Sequence, residues 1–299
     1  MTQAMMSMNL RTMTERWSAW HVIASVLMVA LGVAVTFDAW ADIYRLASID
    51  EEYSHIFLVP IVAAYLVWVR RVRFRFCAPT GVMVGPVVAA AGWGLSAYGF
   101  YQNIQSFWHA GAVLAVVGCL LSVVGKNVLF RFFPAFAVLI FLVPVPATIR
   151  QQIALPLQAW TAQIGQVILE MLGVETTRSG NQLSINGIPV AIAEACNGLR
   201  MVFALILVSY AFSFGLPLRN SVRFLVLLAS PLAAIGCNVI RIVPTVWLYG
   251  YHSTEVANNF HDYSGWVMLP VSFAILYGII QLLKWAMIPV TRYTLASQA

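Results

Sequence analysis

Glu194-Ala195-Cys196-Asn197-Gly198-Leu199-Arg200 runs without a break into MVFALILVSYAFSFGL (201–216), sixteen residues with no charged side chain. An apolar run of about 20 residues crosses a bilayer as a helix, so a polar, cysteine-bearing segment here stands at a membrane boundary. The same pattern repeats along the chain, with apolar stretches at roughly 20–38, 56–72, 82–100, 108–125, 127–146, 197–216, 221–241 and 264–284. The chain is 61% hydrophobic and 9% charged, against about 25% charged in soluble domains, so it has no ordinary water-facing surface. Helices satisfy their own backbone polar groups in lipid and open sheets do not. The expected class is an all-α polytopic membrane protein with about eight transmembrane helices.

Charge sets the orientation, because cytoplasmic loops collect Lys and Arg. With both termini inside, 12 of the 17 basic residues fall on the inner side, among them Arg70, Arg71, Arg73, Arg75, Lys126, Arg131, Arg219 and Arg223. Arg45, Arg150, Arg178, Arg200 and Arg241 fall outside, with every acidic residue except Glu15. The net charge of +6 is thus explained by topology. No basic patch interleaved with aromatics offers a single-stranded nucleic-acid surface. The run from His21 to Phe37 is read as an uncleaved anchor, although Ala39-Trp40-Ala41 resembles a signal-peptidase site. The whole chain, 1–299, reads as one membrane-embedded domain with no separate soluble domain, repeat or low-complexity tract.

The long outer segment between about 147 and 195 is the exception to short connections. Ile153, Leu157, Trp160, Ile164, Val167, Ile168 and Met171 recur at helical spacing, with Gln158, Thr161, Gln163, Gln166 and Glu170 on other faces. This predicts an amphipathic helix on the outer leaflet or against the bundle. After it, Leu183 and Ile185 alternate, Asn186-Gly187 supplies a two-residue turn, and Ile188, Val190 and Ile192 alternate back. A short β-hairpin therefore leads into Cys196. A plain extracellular cap is the bland alternative.

Of Cys77, Cys119, Cys196 and Cys237, only Cys196 has polar neighbours on both sides; the others read as reduced or buried thiols. A cysteine is nucleophilic as thiolate, favoured by nearby cations and helix N-termini. Cys196 is placed for both, since the sixth span begins near Asn197 and Arg200 lies one turn further on the same side. Gly198 permits close backbone approach. Glu194 is positioned to orient Arg200 or Arg241, or is a plain loop carboxylate. Arg241, three residues after Asn238 at the outer end of the seventh span, either snorkels to the interface or supplies donors where a carbonyl oxygen gains negative charge. His261, in Asn258-Asn259-Phe260-His261-Asp262-Tyr263-Ser264-Gly265 before the last span, is suited to take a thiol proton and return it to a leaving amine. Cysteine, arginine and histidine at one membrane face are the parts for acyl transfer through a thioester. His55 lines a substrate groove or is an interface histidine. His252 and Glu255 read as solvated, and His21 and His109 as interfacial.

The chain resembles the exosortase/archaeosortase family of membrane-embedded cysteine transpeptidases. Ala195-Cys196-Asn197-Gly198-Leu199-Arg200 is similar to the family's Ala-Cys-Ser/Asn-Gly-x-Arg signature, and Asn238-Val239-Ile240-Arg241 to its arginine motif. His261 stands where bacterial exosortases have histidine and archaeosortases a second arginine. Tyr53-Ser54-His55 and the segment from Pro144-Val145-Pro146 to Pro156-Leu157-Gln158 share the likeness, while Ile56 departs from an expected glycine. The resemblance covers about residues 38–285. It implies a bacterial inner-membrane enzyme, a hydrolase-class cysteine protease or transpeptidase with its site at the periplasmic face. Its partners would be membrane-anchored proteins ending in a sorting signal: a Pro-Glu-Pro-like motif, a transmembrane helix and a basic tail. Cys196 would form a thioacyl intermediate, Arg241 would stabilise the oxyanion or the substrate, His261 would move protons, and an amine acceptor would release the product. No metal or organic cofactor is implied.

Two other readings use the same sequence. An intramembrane cysteine protease would pass the acyl group to water. A transporter or channel would place ionisable groups near the bilayer midplane. A metalloprotease is disfavoured because no His-Glu-x-x-His pair is present.

Overall fold

The computed structural model describes residues 17–79, 83–192 and 198–285. It is mostly helical with one small sheet. Among the described residues, three helices are long and apolar enough to cross a membrane, or up to six if each bent pair counts as one span. Each of the eight apolar stretches is helical over most of its length. The chain divides into two compact units, residues 1–146 and 147–299.

The first unit opens with helices α1 (Ala19–Val35) and α2 (Phe37–Ile49), bent by 84°. Thr36 fixes the bend: its hydroxyl donates to the Gly32 carbonyl (2.8 Å) and accepts from the Trp40 indole N–H (3.0 Å). The sequence reads residues 38–55 as a loop, because Asp38, Asp42, Arg45 and Asp50 break the apolar run. The segment is helical because Ala39, Ile43 and Ala47 recur every four residues and are all buried. A 3-10 helix, Glu51–Phe57, follows, with Asp50 accepting from the Glu52 N–H at its start. Helix α3 (Leu58–Val69) leads to a second 3-10 turn, Arg71–Phe76.

Helices α4 (Val84–Tyr101) and α5 (Gln105–Val124) form a tight hairpin. Gly85, Gly92 and Gly99 repeat every seven residues on α4, as Gly111 and Gly118 do on α5. A β-carbon at any of the five would stand under 3.0 Å from backbone of the facing helix. Small residues let helix backbones touch, the packing mode favoured where lipid supplies no hydrophobic drive between helices. The next stretch, read from sequence as one span over 127–146, is instead broken into α6 (Lys126–Arg131), α7 (Phe133–Ala137) and a 3-10 turn, Val138–Leu142. Pro134 opens α7, and Pro144 and Pro146 stop the helix from resuming at once.

The polar ends of this unit sort by side. Trp17 donates from its indole to the carbonyls of Phe74 (3.1 Å) and Cys77 (3.0 Å), and Arg73 donates to the Arg131 carbonyl (3.2 Å). Three segments assigned to the inner side thus lie together. The Tyr53 hydroxyl donates to the Val145 carbonyl (2.9 Å), joining two segments assigned to the outer side.

The second unit begins with α8 (Ala147–Met171), the amphipathic helix expected from sequence. Its buried face is Ala154, Thr161, Ala162, Gly165 and Leu169, about 120° around the helix from the apolar stripe. Trp160, Val167 and Met171 of that stripe are 55%, 51% and 82% exposed. The sheet follows: β1 (Thr177–Ser179), β2 (Gln182–Ile185) and β3 (Ile188–Ala191), antiparallel in that order. The hairpin is the one expected, with Ile185 opposite Ile188 and Leu183 opposite Val190. Asn186 and Gly187 take φ of 52° and 77° at the turn. Strand β1 was not foreseen; it is only three exposed residues.

Helices α9 (Gly198–Gly215), α10 (Asn220–Tyr251) and α11 (Thr254–Trp285) complete the unit. Val202, Leu205, Val222, Val226, Leu276 and Ile280 form their shared core. A second core joins Leu183, Ile185 and Ile192 of the sheet region to Ala162 and Leu169 of α8 and to Ile242 and Val246 of α10. Pro231 lies inside α10 and cannot donate to the Leu227 carbonyl; the Ser230 hydroxyl does so instead (2.8 Å). Both long helices overrun their expected ends. α10 continues ten residues past Arg241, about 15 Å, and α11 starts seven residues before His261.

Candidate active site

The overrun changes the setting of the two expected polar residues. Arg241 and His261 sit on the facing arms of the α10–α11 helical hairpin, and its tip at residues 252–253 lies further along the chain from each. His252 and Glu255 at that tip are exposed.

Arg241 is 7% exposed, so it does not snorkel to open water. Its Nε donates to the Ser264 hydroxyl (3.1 Å). One Nη donates to the His261 carbonyl (3.0 Å) and lies 3.2 and 3.1 Å from the two imidazole nitrogens. Ser264 donates to the same His261 carbonyl (2.9 Å), so one turn of α11 grips the guanidinium through two groups. A ring nitrogen can accept from the guanidinium only where it carries no proton. The backbone behind Arg241 is pinned by Thr245, whose hydroxyl donates to the Arg241 carbonyl (2.7 Å). Gly265 keeps the other side open: a β-carbon there would stand 3.5 Å from the guanidinium.

Among the described residues no carboxylate pairs with Arg241. An arginine in an apolar helix centre costs about 3 kcal/mol. A buried cation without a counter-charge is electrostatically prepared for an anion, or for an oxygen that becomes one.

Asn238 shares this face of α10, three residues before Arg241. It is 5% exposed, and its side-chain N–H donates to Thr161 of α8 (3.3 Å). The hairpin docks nearby on α10: the Asn186 side chain donates to the Gly250 carbonyl (3.0 Å), and Ile185 lies so close to Gly250 that a β-carbon would stand under 3.0 Å from it.

Glu194, Cys196 and Asn197 lie outside the described residues. Gly198 and Arg200 are in the first turn of α9, as the reading of the sixth span requires. His55 belongs to the first unit and is 4% exposed, with Nδ1 donating to the Glu52 carbonyl (2.9 Å). The Tyr53–Val145 bond there ties the Tyr-Ser-His triplet to the Pro-Val-Pro segment. His109, expected at an interface, is instead fully buried and bound to Asp42 at 3.0 Å. The interfacial reading failed because the segment holding Asp42 is helical and delivers its carboxylate to α5. Among the described residues no group of three or more His, Cys, Asp or Glu gathers as metal ligands.

Sequence reading missed Ser264 and Thr161 as parts of the site. Ser264 had a signal, since it follows His261 by three residues and so shares its helix face. Thr161 had none, because its contact depends on how α8 crosses α10.

The chain matches the family model described as transmembrane exosortase over residues 40–278. No curated protein and no solved structure matches it. The match spans the Cys-Asn-Gly, Asn-x-x-Arg and histidine segments of the sequence, and the chain belongs to the transmembrane exosortase family.

Proposed function

We propose that this membrane-embedded, sorting-related enzyme is a cysteine transpeptidase acting at the outer face of a bacterial inner membrane. The observation that carries the reading is Arg241: buried, gripped by His261 and Ser264, and without a carboxylate among the described residues. It is supported by the family match, which includes Cys196. The substrate is a membrane-anchored protein ending in a motif, a transmembrane helix and a basic tail.

Cys196, deprotonated by His261, attacks a backbone carbonyl carbon near the motif. The carbonyl oxygen takes the negative charge and Arg241 stabilises it. His261 returns the proton to the leaving nitrogen, the C–N bond breaks, and a thioester remains. An acceptor amine then attacks that thioester, the sulfur leaves as thiol, and a new amide forms. Arg200, Asn197, Gly198 and Glu194 shape the approach to Cys196, Asn238 supports the Arg241 face, and His55 borders the substrate path. The chemistry requires neither metal nor organic cofactor, and nucleic acid has no part in it. The chain acts as a single membrane-embedded domain with eight spans and both termini inside. The bonds of Trp17 and Arg73, which join three basic segments, support that reading.

The test uses cells making a tagged protein with a Pro-Glu-Pro-type tail, beside wild-type enzyme, Cys196→Ala or Cys196→Ser. The expected result is unprocessed tagged protein with both variants at normal membrane levels. Processing that continues with both would remove Cys196 from catalysis. The mass of the wild-type product separates transfer, which adds the acceptor, from hydrolysis, which leaves a free carboxylate.

A further inference from the structure

Thr161 sits on the buried face of α8, 1% exposed. Its hydroxyl donates to the Leu157 carbonyl at 2.8 Å, and a hydroxyl has one proton to give. Toward Asn238 it therefore only accepts, and the Asn238 N–H at 3.3 Å is the matching donor. This settles the Asn238 amide: nitrogen toward α8, oxygen away from it. That oxygen, Oδ1, is buried and has no hydrogen-bond partner among the described residues. Leaving a buried acceptor unsatisfied is destabilising, and native structures do so rarely.

The neighbourhood narrows what Oδ1 awaits. It accepts only, so its partner is a donor. Arg241 lies one helical turn away, about 5 Å along the axis, and its charge repels an ammonium. A neutral N–H or O–H remains, and of these a polypeptide passing this face carries an N–H at nearly every residue. An extended chain advances about 3.3 Å per residue, so an N–H at Oδ1 falls within one or two residues of a carbonyl at Arg241.

We infer that Asn238 Oδ1 accepts a backbone N–H of the substrate next to the scissile bond, and that Thr161 is a positioning residue that holds the Asn238 amide in this orientation. The inference rests on the acyl-transfer reading of the site and adds the element that fixes the register of the substrate on α10. It also assigns the amphipathic helix a part in specificity, since α8 supplies Thr161.

The test is a thermodynamic cycle with full-length enzyme in detergent or nanodiscs. Substrate peptides carry an ester in place of the amide at one backbone position at a time, two residues to either side of the scissile bond. Each ester deletes one N–H. At one position the ester is expected to cost wild-type enzyme about fivefold to tenfold in kcat/KM, the worth of one hydrogen bond, and Asn238→Ala less than about twofold. Thr161→Val is expected to shrink the same ester penalty and Thr161→Ser to restore it. A merely structural role would slow all substrates alike. Equal ester penalties in wild type and Asn238→Ala at every position would overturn the inference while leaving the Cys196 chemistry intact. Processing by Cys196→Ala would instead overturn the acyl-transfer reading itself. Should Asn238→Ala fail to accumulate, Thr161→Val takes its place in the cycle, and an unchanged ester penalty there overturns the inference.

Discussion

In the first unit a buried histidine, His109, meets a carboxylate; in the second, His261 meets a guanidinium. His109 is fully buried and bound to Asp42. That pair is internally compensated, because a proton on the ring would find its counter-charge 3.0 Å away. The Arg241–His261 contact adds no negative charge to a positive one. Buried pairs of the first kind hold helices together and are sensitive to the loss of one partner. A buried cation of the second kind is a cost to folding that a substrate or a developing oxyanion can offset. The two units therefore place similar side chains in similarly apolar helices for opposite ends.

The sharpest way to break the contrast is Arg241→Gln. Processing is expected to fall by about 10²–10³, as when an oxyanion donor is removed, while thermal unfolding in detergent shifts little or rises. A large loss of thermal stability would make Arg241 a structural residue like Asp42. Arg241→Lys is expected to recover little, because an ammonium cannot donate to Ser264 and His261 through a planar fork.

The mirror experiment is Asp42→Asn. It weakens the hydrogen bond that holds the buried His109 ring and is expected to cost about 1–3 kcal/mol of stability, read as a lower melting temperature. Activity per folded molecule should stay within twofold. Replacing both Asp42 and His109 by leucine should recover most of that stability, since an apolar pair often substitutes for a buried ionic one. Activity that falls while stability holds would move this pair into the functional column.

A smaller effect is expected from Ser264→Ala, which removes the acceptor of the Arg241 Nε. The guanidinium keeps its contacts to His261, so kcat should drop about fivefold with little change in KM.

The smallest concerns the thiols. Burial pushes the Cys77 thiol up, against the opposing pull of Arg131. In the first unit, then, Cys77 is a protonated, 5% exposed sulfur. A maleimide applied near neutral pH should label the wild type and Cys77→Ala almost equally, and Cys196→Ala much less.

How much of this was legible in the sequence differs by element. The long helices were, because apolar runs bounded by charge leave little choice in lipid. Helix α2 was not: four charged residues in its neighbourhood hid Ala39, Ile43 and Ala47, which carry its burial. The hairpin was legible from Asn186-Gly187 and its flanking alternation, whereas three-residue β1 has no pattern to read. Arg241 and His261, both singled out from the sequence, are in contact. Their depth did not, because helix ends in a membrane protein follow packing as well as hydropathy, and α10 gains its extra turns by packing Val246 and Gly250 against the hairpin. The hydroxyls of Ser264 and Thr161 act across helix pairs, and only crossing geometry selects them from the chain's other serines and threonines.

The glycine seam between α4 and α5 has a consequence at the level of codons. Every single-base change in a glycine codon that alters the residue adds a β-carbon or ends the chain. At Gly85, Gly92, Gly99, Gly111 and Gly118 each such β-carbon is driven into the backbone of the opposite helix, so these five sites have no tolerated one-step neighbour. Gly94 lies on the same helix with nothing within 4 Å of its would-be β-carbon, and alanine there should be accepted or even favoured by helix propensity. In a saturation library selected for membrane accumulation, depletion should therefore follow the seven-residue spacing of the seam and skip Gly94. Intolerance along the seam would come from contact between two backbones and not from chemistry.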